Sequence, residues 1–431
     1  MQMDNINYKP RIADKLLTEK LQGMGAVLIE GPKWCGKTTT AMQQAASVLR
    51  MDNPNEKRQY INTAAIDPTL LLEGDVPRLI DEWQLAPQLW DAVRYTVDER
   101  NAEGQFILTG STAPVTSEQS YQISHTGTGR IARLKMRTMS LWESGESTGA
   151  VSLSDLFSSE AKVSGVNSTT MEDIAFFICR GGWPRATLQS REIALGRAFD
   201  YYDAIVNSDV NGVDRSARNI ERVKLIMRSY ARLQGTQTPL SAICQDMAAH
   251  DDSTLDDRTV FSYLSALKNI FVVENMPAWN PNLRSKTAVR TSDTRYFIDP
   301  SIATAALGLG PKDLMHDLNT FGLLFETMCV RDLRIYADCL HGQVYHFRDK
   351  NGLECDAVVH LRNGSYGLVE IKLGGDKLVE EGVATLTKLS RKIDTARQPA
   401  PAFLMVLVAV GSYAYRRADG VYVVPVSCLR E

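Results

Sequence analysis

The feature that most constrains this chain is the loop GPKWCGKT, which matches the pattern GxxxxGK[ST] from Gly31 to Thr38. It follows the apolar segment AVLIE and precedes a helix predicted from Lys37 to Leu49, the setting that this phosphate-binding pattern requires. Gly31 and Gly36 let backbone N–H groups surround a triphosphate without intruding side chains. We therefore predict a binding site for ATP with Mg²⁺.

Two side chains of this loop carry the polar chemistry of the predicted site. The Lys37 ammonium can neutralise the β- and γ-phosphate oxygens, and the Thr38 hydroxyl can take one coordination position of Mg²⁺. The N-terminus of the following helix adds its positive end to the same anion. The residues predicted to bind the nucleotide are Gly31, Pro32, Lys33, Trp34, Cys35, Gly36, Lys37, Thr38 and Thr39.

Two later segments place polar residues directly after apolar runs. LIDE puts Asp81 and Glu82 after one predicted strand, and FILTGS puts Thr109 and Ser111 after another. Asp81 can hold the hydration shell of Mg²⁺, and Glu82 can polarise an attacking water. A small hydroxyl, with Ser111 as the candidate, can sense the γ-phosphate. Each segment alone is equally an acidic turn or an ordinary strand exit, but their order after the loop predicts a hydrolysing site.

Arg130 and Arg133, in GTGRIARLK, are the candidates for an arginine that neutralises charge developing on a transferred phosphoryl group. We take Arg130 as the predicted catalytic arginine. The alternative is a basic surface segment without a catalytic role.

The chain is predicted to contain several domains. Strands alternating with helices indicate an α/β domain with a doubly wound, mainly parallel sheet, and ligands are expected at the carboxyl edge of that sheet.

Between Pro239 and Glu274 the order helix, turn, helix, strand indicates a winged helix. Its second helix sets Asp256 and Asp257 against few basic residues, so a lid is at least as well supported as a DNA reader. The predicted divisions are 1–148 (P-loop domain), 149–235 (linker and helical region), 236–290 (winged-helix-like lid) and 291–431 (C-terminal α/β domain).

A predicted hairpin near the C-terminus gathers a second set of charged residues. The pair Asn363-Gly364 separates two alternating apolar runs, which is typical of a tight β-turn. Pairing of these strands can bring Asp356, Glu370 and Lys372 together, since side chains repeat every two residues. Two carboxylates can hold Mg²⁺ or Mn²⁺, and the lysine can orient water against a phosphodiester. The alternative is a cross-strand charge pair on a half-exposed hairpin.

Composition excludes several classes of protein. The net charge of -3 gives no global attraction to nucleic acid, so DNA contact would need a local patch. Seven scattered cysteines without paired spacing indicate a reducing compartment rather than a disulfide framework or a zinc site. No apolar run approaches the ~20 residues of a membrane helix. We therefore expect a cytoplasmic protein without a membrane partner.

The ordered motifs make the chain resemble a large prokaryotic family of AAA-type ATPases whose C-terminal domain is related to restriction-endonuclease-like folds. The resemblance runs from about Tyr8 to the C-terminal strands and rests on GPKWCGKT, LIDEWQ, LTGS, Gly129-Arg130, GGWP, the winged-helix segment, FGLLFE and ECDAVV…VEIK. One departure is the segment LKMRTMSLWESGES, which stands where such chains often have a proline-rich stretch.

The resemblance implies roles for individual residues. It implies Walker A roles for Gly36, Lys37 and Thr38, Walker B roles for Asp81 and Glu82, and a sensor role for Ser111. It also places Glu326 with the hairpin residues in a nuclease-like core. The implied metal ligands are Thr38 and Asp81 at the nucleotide, and Glu326, Asp356 and Glu370 in that core.

Two functions are consistent with these features. The first is Mg²⁺-dependent ATP hydrolysis coupled to a nuclease-like domain that acts on DNA or another nucleic acid. The alternative is an ATP-dependent regulatory switch whose C-terminal domain is a catalytically inactive interaction module. AAA-type proteins often form rings in which a neighbour supplies the arginine, so a homo-oligomer is a possible partner.

Overall fold

The computed structural model describes residues 8–110, 127–158, 161, 163–210, 218–249, 256–280, 292–396 and 398–431. These residues fall into two compact units. The first contains the described residues up to Thr138 together with 269–271, and the second contains the other described residues from Met139 onward.

The first unit is built on a five-stranded sheet. Its strands are β1 (Ala26–Glu30), β2 (Ser47–Arg50), β3 (Arg78–Asp81), β4 (Phe106–Gly110) and β5 (Ile131–Lys135). They lie in the order β2-β3-β4-β1-β5, and every neighbouring pair is parallel. The predicted parallel α/β sheet is therefore confirmed. Its carboxyl edge is formed by the ends of β1, β3 and β4.

Helices pack against this sheet through apolar side chains. They are α1 (Ile12–Gly23), α2 (Lys37–Met42), α3 (Lys57–Ile66), α4 (Gln88–Arg100) and the short 3₁₀ helices Pro68–Leu72 and Trp83–Leu85. Trp83 and Trp90 are both buried beside the sheet, with ring centroids 5.1 Å apart. Burial of such large aromatic rings supplies much of the hydrophobic stabilisation of a small core.

The helix predicted from Lys37 to Leu49 is shorter than expected. It ends at Met42, and Ser47–Arg50 forms β2 instead. The strand lies at the edge of the sheet and leaves Val48 41% exposed. Because an edge strand buries few residues, its sequence lacks the continuous apolar run that identifies a central strand.

The second unit begins with short elements and then becomes helical. Up to α14 its elements are α5 (Leu141–Ser144), β6 (Val151–Ser152), α6 (Leu153–Leu156), β7 (Gly165–Val166), α7 (Met171–Arg180), α8 (Arg191–Ala204), α9 (Ile220–Arg232), α10 (Leu240–Ala248), α11 (Asp257–Asn269), α12 (Pro300–Leu307), α13 (Pro311–His316) and α14 (Leu318–Cys339). Helices α10 and α11 are those of the predicted winged helix. In the described part of the chain, the predicted strand FVVE forms one isolated β-bridge, between Val273 and Phe297. A second bridge, between Met276 and Thr294, lies just after it.

The C-terminal part of the second unit is a mixed sheet. Its strands are β8 (Gly342–Arg348), β9 (Glu354–Leu361), β10 (Tyr366–Lys372), β11 (Phe403–Val408), β12 (Tyr413–Arg416) and β13 (Tyr422–Pro425), with β14 (Leu429–Arg430) paired to β6. The order is β7-β12-β13-β11-β10-β9-β8. The helix α15 (Asp376–Lys392) packs on β10 and β11, and α14 packs on β8 and β9.

The predicted hairpin is present between β9 and β10. The two strands pair antiparallel, from Tyr366 opposite His360 to Val369 opposite Ala357. Gly364 has φ +88°, a conformation that side chains with a Cβ rarely adopt. The Asn363-Gly364 turn thus fixes the register that brings the charged ends of the strands together.

A buried polar network accounts for the GGWP segment in the second unit. The Gly182 N–H donates to Asp299 Oδ2 at 2.9 Å, and a Cβ on Gly182 would lie 2.1 Å from the Met139 carbonyl oxygen. Arg331 on α14 binds Asp299 at 3.0 Å and Asp332 at 2.8 Å, and all three side chains are at most 2% exposed. The segment therefore contributes to structure, through close backbone approach and charge pairing.

Candidate nucleotide site and carboxylate cluster

The phosphate loop connects the end of β1 to the start of α2. A Cβ on Gly31 would lie 2.1 Å from the Met136 carbonyl oxygen, so only glycine fits there. Gly36 has φ +99° and caps α2. The Lys37 side chain is buried and curls over the loop, where Nζ donates to the carbonyl oxygens of Gly31 at 2.9 Å and Pro32 at 2.8 Å. The ammonium is therefore held by two carbonyl oxygens of the loop that is predicted to bind the phosphates.

The other residues of the loop differ in exposure. Pro32 and Cys35 are buried, and the Cys35 thiol donates to the Met136 carbonyl oxygen at 3.8 Å. Lys33 and Thr39 are exposed. Trp34 is 51% exposed and has φ +65°, a strained conformation for a bulky side chain. All nine predicted nucleotide-binding residues therefore lie on one loop and one helix start.

Asp81 joins the phosphate loop to the neighbouring strands. Its Oδ1 accepts from the Thr38 hydroxyl at 2.8 Å and also from the Thr109 hydroxyl. Asp81 and Thr109 are register partners on β3 and β4, and both are buried. Two oxygen donors suited to Mg²⁺, the Thr38 hydroxyl and the Asp81 carboxylate, are therefore in contact. The residues fit the metal that the sequence predicts for this position.

Glu82 follows Asp81 at the carboxyl end of β3. Its φ of +56° places it in the left-handed region, directly before the turn Trp83–Leu85. Burial raises the pKa of Glu82, the hydrogen bond from Gln84 Nε2 lowers it, and the charge of Asp81 raises it again. The net direction is upward, which makes this carboxyl a better proton acceptor than an exposed one.

The structure describes the predicted catalytic arginine, Arg130, but not the predicted sensor, Ser111. Ser111 lies outside the described residues. Arg130 immediately precedes β5, whose first residue Ile131 pairs with Ala26 at the start of β1. The five residues of β1 then separate Arg130 from the phosphate loop by about 17 Å of strand. The structure does not bring Arg130 to the loop of its own chain.

Arg130 and Arg133 each hold a surface ion pair. Arg130 Nε contacts Asp98 Oδ1 at 2.7 Å, with the arginine side chain 46% exposed. Arg133 contacts Glu30 at 3.1 Å and is 49% exposed. Exposed pairs of this kind contribute little to stability, about 0–1 kcal/mol. Both guanidinium groups are therefore available at the surface of the first unit.

The charged residues of the C-terminal hairpin do come together. Lys372 Nζ contacts Glu370 Oε2 at 2.8 Å and Asp356 Oδ2 at 3.3 Å. The Ile371 N–H donates to the same Asp356 oxygen at 2.7 Å. Glu370 is buried, and among the described residues its second oxygen, Oε1, has no hydrogen-bond partner. The lysine ammonium therefore lies between the two carboxylates predicted to bind a metal ion.

Glu326 on α14 joins this cluster. Its carboxylate accepts a hydrogen bond from the Tyr296 hydroxyl, a partner that the sequence did not suggest. Burial, reinforced by the charge of Asp356, raises the pKa of Glu326 and of Glu370 to about 8 each. Among the described residues, no group of three or more acidic, histidine or cysteine side chains is arranged to hold a metal ion. In this structure the Lys372 ammonium occupies the position between Asp356 and Glu370 where a cation would bind.

Comparison with known proteins assigns the parts of the chain separately. Residues 24–144 match the family model of an AAA domain, residues 171–313 match "Domain of unknown function (DUF8612)", and residues 321–429 match "Domain of unknown function (DUF4143)". The first match supports an AAA-type ATPase domain and ATP binding in the N-terminal part, as predicted. The description of the C-terminal family names neither fold nor activity, so the nuclease-like assignment stays a prediction.

Two relatives match nearly the whole length of this chain, and both are named as uncharacterised proteins. The chain is 23% identical to Uncharacterized protein Mb2031c of Mycobacterium bovis and to Uncharacterized protein Rv2008c of Mycobacterium tuberculosis, over 96% of this chain and 83% of each relative. Among solved structures, it is similar to the Walker-type ATPase PABY2304 of Pyrococcus abyssi, with a TM-score of 0.42, 14% identity, and coverage of 71% of this chain and 97% of that one. Among the described residues, no helix is both long enough and apolar enough to cross a membrane.

Proposed function

We propose that this chain is a Mg²⁺-dependent ATP hydrolase whose C-terminal domain has a nuclease-like fold and handles nucleic acid. The observation that carries the ATPase part is the contact of the Thr38 hydroxyl with Asp81 at 2.8 Å, beside the phosphate loop and Glu82. A loop that merely binds phosphate has no need of a metal-binding carboxylate at the end of β3, which β4 separates from β1. This pairing supports hydrolysis rather than binding alone.

Each residue has a defined task in this proposal. The loop residues Gly31 to Thr39 bind the phosphates, and Lys37 neutralises the β- and γ-oxygens. Thr38 and Asp81 would hold Mg²⁺, which supplies charge neutralisation at the phosphates. Glu82 accepts a proton from a water molecule as the water oxygen bonds to the γ-phosphorus. The bond from that phosphorus to the bridging oxygen breaks, and ADP and inorganic phosphate leave.

The nucleic-acid part of the proposal rests on the cluster of Asp356, Glu370, Lys372 and Glu326. In chain order its residues are a helix glutamate, an aspartate and an ExK pair, the pattern of nuclease-like folds, and they converge at one end of the β9–β10 hairpin. The proposed substrate is DNA or another nucleic acid. The proposed winged-helix-like segment contains α10 and α11, and we propose that it acts as a lid.

A second function is favoured by a specific observation in the same cluster. The Lys372 ammonium contacts both Asp356 and Glu370, and burial raises the pKa of Glu370 and Glu326 to about 8, so their neutral forms are favoured at pH 7. A cation would have to displace the lysine and ionise both glutamates. The alternative function is therefore an ATP-dependent switch with a catalytically inactive C-terminal interaction module.

ATP turnover by the wild type and Lys37→Ala, with and without DNA, tests the proposal. We expect turnover by the wild type in the presence of Mg²⁺, a loss of about 10²-fold or more in Lys37→Ala, and stimulation by DNA. Wild-type protein that shows no turnover above Lys37→Ala would contradict ATP hydrolysis.

Nicking of DNA in the presence of Mg²⁺ or Mn²⁺ separates the two functions of the C-terminal domain. The nuclease proposal expects nicking that Asp356→Ala abolishes. The switch expects no nicking, a change of conformation on ATP binding, and normal function of Glu370→Ala. ATP hydrolysis without any binding or cutting of DNA would favour the switch.

A further inference from the structure

Gln84 is held against Glu82 by the local backbone. Because Glu82 adopts a left-handed conformation and Trp83–Leu85 forms a single 3₁₀ turn, the chain folds back on itself at this point. Gln84 Nε2 then donates to Glu82 Oε2. An ionised carboxylate only accepts hydrogen bonds, so the nitrogen of the amide must face Glu82 and its oxygen must face away. The contact thus fixes the orientation of the Gln84 side chain.

The other end of the Gln84 amide faces the end of β4. A Cβ on Gly110 would lie 2.6 Å from Gln84 Oε1 and 3.1 Å from Trp83 Nε1, so both atoms lie beside the last residue of that strand. Both are buried, and neither has a hydrogen-bond partner among the residues that the structure describes. Unpaired buried polar groups are rare in proteins, and a catalytic role is one of their recognised explanations. An unused acceptor and an unused donor therefore lie together at the end of β4.

The end of β4 is itself joined to the proposed metal site. Thr109, the residue before Gly110, donates its hydroxyl to Asp81. Gln84 therefore lies between the residue proposed to accept the proton and the strand that contacts the proposed metal ligand. A side chain that only stabilised the turn Trp83–Leu85 would not need an amide whose nitrogen contacts Glu82 and whose oxygen lies beside the end of β4.

We infer that Gln84 is a positioning residue for ATP hydrolysis, holding the Glu82 carboxylate in the orientation that activates water and linking that orientation to the end of β4. The inference rests on the proposed ATPase function. It concerns the chemical step and not nucleotide affinity, because the hydrogen bond that Gln84 donates goes to Glu82 and not to a loop residue that would bind the phosphates. Its removal should lower kcat and leave KM for ATP nearly unchanged.

Gln84→Met keeps the length of the side chain and removes the donor to Glu82. Gln88→Met is the matched control, since Gln88 also has a buried, unpaired Oε1 but begins α4 and donates no bond to Glu82. We expect Gln84→Met to lower kcat about tenfold or more, with KM for ATP within about twofold of the wild type. Gln88→Met should retain the wild-type kcat. Thermal melts confirm that each variant is folded.

Two further variants keep the inference testable if Gln84→Met does not fold. Gln84→Glu has the same shape but offers no donor, so we expect a loss of kcat at least as large. Gly110→Ala would place a methyl group 2.6 Å from Gln84 Oε1 and displace the amide, which should also lower kcat. Combined with Gln84→Ala, it should cost no more than Gln84→Ala alone, because the two changes act through one contact.

Several results would overturn the inference. They are an unchanged kcat in Gln84→Met and Gln84→Glu, an equal loss in Gln88→Met, or a rise in KM as large as the fall in kcat. Absence of ATP turnover in the wild type would overturn the proposed ATPase and this inference with it. Turnover by the wild type with unchanged Gln84 variants would overturn the inference alone.

Discussion

Glu326 shows at the scale of one residue how burial changes the chemistry of a carboxyl group. It is partly buried on α14, accepts a hydrogen bond from Tyr296, and lies near the charge of Asp356. Burial raises its pKa from 4.5 to about 8 because the charged form loses hydration. The folded state therefore holds this proton more tightly than the unfolded chain does.

The raised pKa of Glu326 makes the stability of the folded protein depend on pH. Between pH 4.5 and about 8 the folded protein binds more protons at this site than the unfolded chain, so the free energy of unfolding falls as pH rises. Glu326→Gln has no proton to lose and avoids this fall, while its amide oxygen can still accept from Tyr296. We expect the stability of Glu326→Gln relative to the wild type to increase from pH 5 to pH 8 and then level off.

Thermal melts at successive pH values, with EDTA to exclude divalent cations, measure this difference. Glu381→Gln on the exposed face of α15 is the control, and its difference from the wild type should stay flat. A difference for Glu326→Gln that is constant with pH, or that shrinks as pH rises, would contradict the raised pKa.

At the scale of elements, the charge network on α14 ties the helix to the GGWP segment and to Asp299. Arg331 is 2% exposed and is bound by two carboxylates. Arg331→Leu leaves Asp299 and Asp332 buried without their cation. We expect a loss of roughly 3–5 kcal/mol in the free energy of unfolding, measured by urea denaturation, because breaking a buried pair strands the remaining charge.

An exposed ion pair in the same unit is the control for this prediction. Glu380 on α15 pairs with Arg417 but is 60% exposed. Glu380→Gln should cost less than about 1 kcal/mol. If Arg331→Leu were no more destabilising than Glu380→Gln, the network would have no structural role.

The same elements show why some features could be predicted from sequence and others could not. The phosphate loop and the β9–β10 hairpin depend on glycines and on apolar alternation within about a dozen residues, so their patterns are legible. Tyr296 and Glu326 are 30 residues apart, and no local pattern records their contact. The edge strand β2 was missed because a half-exposed strand carries a weak apolar signal. Long-range pairing and edge strands therefore required the structure.

At the scale of the whole molecule, the position of Arg130 bears on assembly. Its register at the start of β5 places it about 17 Å of strand away from its own phosphate loop, yet its side chain is 46% exposed. An arginine so placed lies away from the nucleotide site of its own chain and is exposed to a neighbouring copy. If Arg130 neutralises transition-state charge, it does so between protomers, and hydrolysis requires an oligomer.

Mixing two inactive variants tests this arrangement. Arg130→Ala should lower ATP turnover on the order of 10²-fold or more, the effect expected for loss of a catalytic arginine. Lys37→Ala inactivates the loop but keeps Arg130. In a mixture, a Lys37→Ala protomer can supply its arginine to the intact loop of an Arg130→Ala neighbour. We expect turnover by the mixture to exceed the summed turnover of the two variants alone.

Asp98→Ala distinguishes a catalytic arginine from a surface ion pair, because it removes the partner at 2.7 Å and leaves the guanidinium in place. It should keep most of the wild-type turnover if Arg130 acts on a neighbour's phosphate. A defect equal to that of Arg130→Ala would instead assign Arg130 a structural role. A mixture no more active than its parts, from protein that elutes as a monomer, would exclude the shared site.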